Sequence, residues 1–319
     1  MEQTDIKQDK GKGRVEPFQG DLFLCNIPNW PVKDDIASME VPIFSISKNP
    51  DTSIREYENG NTYVKIVPNA LGCATIFDKD LLLYAGSQII EARNRGKKVS
   101  PIVEVTTTDF LLKTARGNGR ASYERIFDML MRLYGTSIAR TIKDGNERQT
   151  TPFSLIENFH IKSKKTRTVE VEDARGKTTE KQVWSVTSFQ VKLSDWLYDG
   201  LMNCKVLTLD NAYFRLTSAI SRRIYEIARK HCGNQAMWKI NIDALAHKIG
   251  IKGERYRFRE DIRRIIKDDA IPDYRLALDT STKPDSVVFY TRDSGSLSKR
   301  LLQNLEETAW FEGLEKHKP

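Results

Sequence analysis

Across residues 220–267 the apolar side chains fall at helical spacing three times over, and a glycine stops each of the first two runs. Ile220, Ile224, Ile227 and Ala228 share one face of a first helix that Gly233 ends. An extended patch at 237–240 leads to Asn241, a good N-cap residue. Ile242, Leu245, Ala246 and Ile249 then mark a brief second helix closed by Gly250. Phe258, Ile262, Ile265 and Ile266 line a third helix, while Tyr256, Arg257, Glu260, Arg263, Arg264 and Lys267 point away from that face. Two strand-like runs, 274–278 and 286–290, follow around a polar tip. Three helices, a short connection and a hairpin in this order spell a winged helix-turn-helix.

In such a unit the second helix of the pair lies in the major groove and presents side chains to base edges. Arg255, Tyr256, Arg257, Arg259, Arg263, Arg264 and Lys267 on the third helix are therefore candidate DNA contacts, with Lys283 at the wing tip. Residues 213–292 hold 17 Lys and Arg against 10 Asp and Glu, an excess of 7 in a chain whose net charge is +8. The charge sits where the groove-reading helix sits, and an excess of base points to a polyanionic partner. A winged helix that binds another protein and merely solvates a basic helix is the competing reading of the same pattern.

At 319 residues the chain has room for about two domains, and 39% hydrophobic with 29% charged residues describes a globular protein. No apolar run is long enough to span a membrane, and the amino terminus is too polar for a signal peptide, so the expected location is the cytoplasm. Cys25, Cys73, Cys204 and Cys232 lie far apart without paired spacing, which predicts reduced thiols. His160, His231, His247 and His317 form no metal-ligand pattern, so neither a metal nor a cofactor is expected.

Taken in order, residues 1–18 are polar and aperiodic and read as a disordered tail. Prolines and β-prone runs at 41–46 and 62–67 suggest a small β extension. A helix is expected at 78–95, a strand at 103–105, a short helix at 108–114 and a third helix at 123–134 buried through Tyr123, Ile126, Phe127, Leu130 and Leu133. Strands at 136–142, 152–161 and 183–193 would complete a second wing. The fold class is therefore α+β, two tandem winged helix-turn-helix domains with a small N-terminal β extension. The boundaries read as 19–205 for the first domain, 206–295 for the second and 296–319 for a helical tail. Arg116, Asn118, Arg120 and Arg125 are the first domain's candidate DNA contacts, but its third helix carries mixed charge. A structural or dimer-forming role stands beside direct contact there. The polar, charged run 162–182 reads as an extended, mobile wing tip or hairpin, or as an ordinary solvated loop.

Signals of bond chemistry fail on inspection. Gly176-Lys177-Thr178 resembles the end of a phosphate-binding loop, but the required earlier glycine position holds Val171. No His-x-His pair is present to position a scissile phosphate for a tyrosine nucleophile, and no acidic cluster suits two-metal chemistry. The residues describe a DNA-binding protein that is not an enzyme.

The segments GDLFLC, PVKDDIASMEVPIF, ATIFDKDLLLYA, SYERIFDMLMRLYGTSI, LSDWLYDGL, VLTLDNAYFRL and RRIYEIARKHCGNQAMW resemble the replication initiator protein A family of plasmid-encoded initiators. The resemblance covers roughly residues 19–290. It implies two winged helices that bind direct repeats (iterons) in double-stranded origin DNA, help open an AT-rich segment and recruit the host initiator and helicase. It also implies a monomer–dimer equilibrium, with residues 206–216 as the hinge between domains. A dimeric winged-helix transcriptional repressor is the alternative that the same helices allow. One further segment, QGDLF, is similar to peptides that dock on the replicative sliding clamp, which makes Gln19, Leu22 and Phe23 candidate clamp contacts. The competing reading has Leu22 and Phe23 anchoring the amino terminus on their own domain.

Overall fold

The computed structural model describes residues 21–28, 30–35, 38–39, 41–117, 119–172, 178–203 and 205–316. The expected tail and Asn118 lie outside them. The first half is built from β1 (Leu22–Leu24), β2 (Val32–Asp35), β3 (Arg55–Asn59), β4 (Thr62–Val67), α1 (Lys79–Asn94), β5 (Ile102–Thr106), α2 (Thr107–Lys113) and α3 (Arg120–Gly135). It continues with β6 (Ser137–Asp144), β7 (Glu147–Ser154), β8 (Ile156–Glu172), β9 (Thr178–Leu193) and α4 (Asp195–Met202). The second half runs through β10 (Val206–Leu209), a 3-10 turn (Asn211–Arg215), α5 (Ala219–His231), β11 (Met237–Asn241), α6 (Ile242–Ile249) and α7 (Arg255–Asp268). It closes with β12 (Tyr274–Asp279), β13 (Ser286–Thr291), α8 (Ser294–Leu301), α9 (Leu305–Glu312) and β14 (Glu315–Lys316).

Both halves are winged helices, in the mixed α+β class that the periodicity predicts. In the second, Asn241 caps α6 by accepting from the Asp243 N–H, and Gly250 ends it at φ 87° in the left-handed region that glycine adopts without steric cost. Ile242, Leu245, Ile249, Phe258, Ile262 and Ile265 pack under α5 and onto Leu276, Leu278, Val287 and Phe289. Alternation puts Ala277, Val288 and Tyr290 on the opposite face of that sheet, where the tail covers them with Phe311 and Leu314.

The first half departs from expectation in several places. Strands β6 and β7 do not belong to the wing: they form their own hairpin and continue the β3–β4 ladder as a sheet in the order β3-β4-β6-β7. The single strand expected at 152–161 is broken at Leu155, whose side chain enters the core. The wing is β8–β9 alone, set in the order β1-β5-β9-β8, and of the readings of the charged run it is the hairpin that holds, with the antiparallel ladder running as far as Glu172↔Thr178. On α3, Ile126, Met129, Leu130 and Leu133 are buried at i, i+3, i+4 and i+7. Phe127 lies one step round, half exposed, with its ring edge-on to Phe159. Of the β extension, 62–67 is β4, whereas 41–46 contributes only an isolated bridge, Ser45↔Thr75.

The residues read as a hinge between domains are tied down. Val206–Leu209 pairs antiparallel with Asp35–Val32, and Tyr213 and Phe214 just after are buried. Trp30 packs edge-on against Tyr84 of α1 and Phe214 of the junction, joining the two apolar cores.

Candidate nucleic-acid interface

α7 is amphipathic enough to bury one face and leave the other free. Phe258, Ile262, Ile265 and Ile266 hold it on the core, and Tyr256 stands 70% exposed on the outer side. Its arginines divide by what they touch. Arg255 pairs with Asp243 at 2.6 Å, Arg259 with Asp285 of the wing at 2.7 Å and Arg264 with Asp261 at 3.3 Å. Arg263 is gripped by two carboxylates, Glu260 at 2.7 Å and Glu315 at 2.8 Å, whose hydrogen bonds hold its guanidinium above its ordinary pKa. Among the described residues, exposed Arg257 and Lys267 have no carboxylate partner, and neither has Lys283 at the wing tip. The exposed cations without a carboxylate partner among the described residues are fewer than the sequence list: Arg257 at the start of α7, Lys267 near its end and Lys283 on the wing.

Part of the basic excess is not surface at all. Arg222 reaches Asp80 of α1 at 2.5 Å and donates to the Leu216 and Phe214 carbonyls, and Arg223 pairs with Glu226 at 3.0 Å. Lys79 lies between Asp34 at 2.6 Å and Glu226 at 3.0 Å, and the Tyr213 hydroxyl donates to Glu226 at 2.7 Å. These side chains are at most 4% exposed. Burial pushes the Asp34 carboxyl up to about 8 despite the Lys79 ammonium, whereas Glu226 is held below its usual range because Lys79 and Arg223 together outweigh burial. These charged residues form the joint between the two winged helices. No local signal marks them, for α5 is buried at every position from Ser221 to Ala228 and Arg222 stands across the helix from Ile220 and Ile224.

Arg116 is tied into this joint. It pairs with Asp80 at 3.1 Å, donates to the Phe77 carbonyl and stacks over Phe110. Arg120 is exposed but paired with Glu124 at 2.6 Å, one helical turn on, while Arg125 is exposed without a carboxylate partner among the described residues. The described part of the clamp-like segment enters an edge strand: Leu22–Leu24 pairs parallel with Ile102–Glu104, with Phe23 buried in the first core and Leu22 41% exposed. Gln19 lies outside the described residues.

A second brace sets the orientation of α7. The turn before it, residues 250–253, leans on the first domain: Lys252 reaches Asp51 at 3.5 Å and donates to the Ser53 hydroxyl, and Tyr57 packs edge-on against His247. A Cβ on Gly250 would meet Pro42 Cβ at 3.1 Å and the Tyr57 hydroxyl at 3.2 Å. α7 is thereby braced against the first domain as well as its own.

Residues 33–276 of this two-winged, basic-helix architecture match the family model described as replication initiator protein A. The chain belongs to that family. A protein of Wigglesworthia glossinidia brevipalpis named "Putative replication protein" is 37% identical over 246 residues, covering 76% of this chain and 84% of its own. Two solved structures of domains 2 and 3 of RctB share the fold. One superposes with a TM-score of 0.57 at 11% identity, over 79% of this chain and 96% of its own. The other gives 0.55 at 12%, over 82% and 98%. Among the described residues, this replication initiator has no helix long and apolar enough to cross a membrane.

Proposed function

We propose that this replication initiator binds direct repeats in double-stranded plasmid origin DNA through the outer face of α7 and the β12–β13 wing. Arg257 and Tyr256 address base edges, and Lys267 and Lys283 address phosphates. The observation that carries this reading is the division of the α7 cations: those at Arg257 and Lys267 are exposed and free of carboxylates, on a helix held at both ends of its turn by the rest of the fold. A bidentate guanidinium suits guanine, and a lone ammonium suits phosphate. The first domain, with Arg125 exposed on α3 and its long β8–β9 wing, supplies sequence-independent contacts to the neighbouring backbone.

Bound in tandem, copies of the chain strain and open adjacent AT-rich DNA and recruit the host initiator and helicase in the cytoplasm. No bond is made or broken by the protein itself. Phe127, Tyr134 and Ile142, each between 42% and 50% exposed on the first domain, support a monomer–dimer equilibrium in which this apolar surface is shared between copies. Footprinting the purified chain on the DNA flanking its own gene, at low and moderate salt, tests the reading. Protection of several same-direction repeats in phase with the helix is the expected result. A single protected inverted repeat would replace it with the repressor reading.

A further inference from the structure

We propose that Glu315, on the C-terminal strand, is a specificity-determining residue that withholds Arg263 from DNA. The proposal rests on the reading of α7 as the DNA-binding helix. All three guanidinium nitrogens of Arg263 are occupied: Nε donates to Glu315 Oε1 at 2.8 Å, Nη2 to Glu315 Oε2 at 3.3 Å and Nη1 to Glu260 Oε1 at 2.7 Å. The Glu315 carboxylate offers the same two-oxygen edge that a phosphate offers, so it takes the place a phosphate takes on an arginine fork.

The tail is built to deliver that carboxylate. Phe311 and Leu314 enter the small core on the back face of the second sheet, and the Trp310 indole N–H donates to Asp279 at 3.0 Å. The chain then returns along the sheet edge, pairing Glu315 with Leu278 and Lys316 with Ala277 of β12. Glu315 so reaches α7 from the side opposite to the tail's own helices. The ion pair stays accessible, with side chains 35% and 44% exposed, so a phosphate can compete for it. Lys267 lies one turn beyond Arg263 and is exposed without a carboxylate partner among the described residues. Released from Glu315, Arg263 joins Lys267 in one cationic flank.

The consequence is selective. Each phosphate contact strengthens binding to every duplex alike, so one cation withheld lowers non-specific affinity and leaves discrimination to the start of α7. The pair with Glu260 at i and i+3 stays in place in either case, and Glu315 differs from it in holding the guanidinium with both oxygens where Glu260 uses one.

The test uses the full chain as wild type, Glu315→Gln, Arg263→Ala and the double variant, with a random-sequence duplex as probe across a salt series. Glu315→Gln is expected to bind more tightly, with the slope of log affinity against log salt steeper by about 0.9. Arg263→Ala leaves Glu260 and Glu315 without their cation, so the decisive comparison is the effect of Glu315→Gln in that background, where the gain in affinity and in salt slope should shrink. Unchanged or weaker binding by Glu315→Gln, at an unshifted thermal transition, overturns the proposal. An equal gain from Glu315→Gln with and without Arg263 overturns it too, because the gain would then come from the lost carboxylate and not from a released arginine. A wild-type chain that binds no duplex at low salt contradicts the α7 reading itself.

Discussion

Lys79 of the first winged helix and Glu226 of the second meet at 3.0 Å, each with a side chain 1% exposed, and Asp34 and Arg223 complete the cluster from either side. Two ions taken out of water cost several kcal/mol each, and only close partners on all sides offset it. The joint therefore tolerates no half measure: it is satisfied in one relative placement of the domains.

Removing one partner exposes that dependence. Lys79→Met leaves Asp34 and Glu226 facing one another without their shared cation, and should cost about 3–5 kcal/mol. Chemical denaturation of both chains measures it, and the variant's loss should appear in probes of either domain. A loss confined to one domain contradicts a shared joint.

Gly250 carries the turn into α7 at φ 87°, against Pro42 and Tyr57. Gly250→Ala should lose more than about 1 kcal/mol from the left-handed backbone alone. Tyr57→Ala in the same background should recover part of the packing strain and none of the backbone strain, which a paired denaturation series reads directly.

On the interface, Arg257→Ala should cost about 1–3 kcal/mol at a specific site and leave random duplex nearly untouched. Lys283→Ala should weaken all sequences alike and lower the salt slope by about one. Titrations of each variant against a protected site and a random duplex separate the two behaviours.

Asp279 gives the second domain an acid dependence. Its burial disfavours the charged form, but hydrogen bonds from Lys239, Ser281 and Trp310 outweigh this and hold the carboxyl well below its usual range. A depressed folded pKa means that the stabilisation is complete above the unfolded value of about 3.9 and is lost as pH falls towards the folded one. Asp279→Asn should therefore be less stable than wild type at neutral pH, and the gap should close below about pH 4. A gap that persists at low pH would assign the loss to packing.

The second winged helix was legible almost residue by residue, because Asn241, Gly250 and the stripe from Phe258 to Ile266 each carry a local cause. The first wing was misread where a local signal was overlooked: Gly145-Asn146 makes the turn between β6 and β7, with Gly145 at φ 57°, and so separates that hairpin from the wing. Phe127 was placed inside because aromatic residues in a helical stripe usually are, yet α3 spends its apolar face on Met129. The joint was illegible for a different reason. A charged side chain marks surface unless a partner distant in sequence neutralises it, and Asp34, Lys79 and Glu226 are brought together only by the fold. The same blindness made Arg116 and Arg263 look available, since Asp80 and Glu315 lie 36 and 52 residues away.

The central claim is that α7 addresses origin DNA and that replication follows from it. The most direct measurement supplies the chain in trans to a host carrying a plasmid whose origin is replaced by the protected repeat segment, and scores plasmid maintenance for wild type and for Arg257→Ala of equal thermal stability. The account predicts maintenance with wild type and loss with the variant. Maintenance with Arg257→Ala, or none with wild type on DNA that it protects, would contradict it.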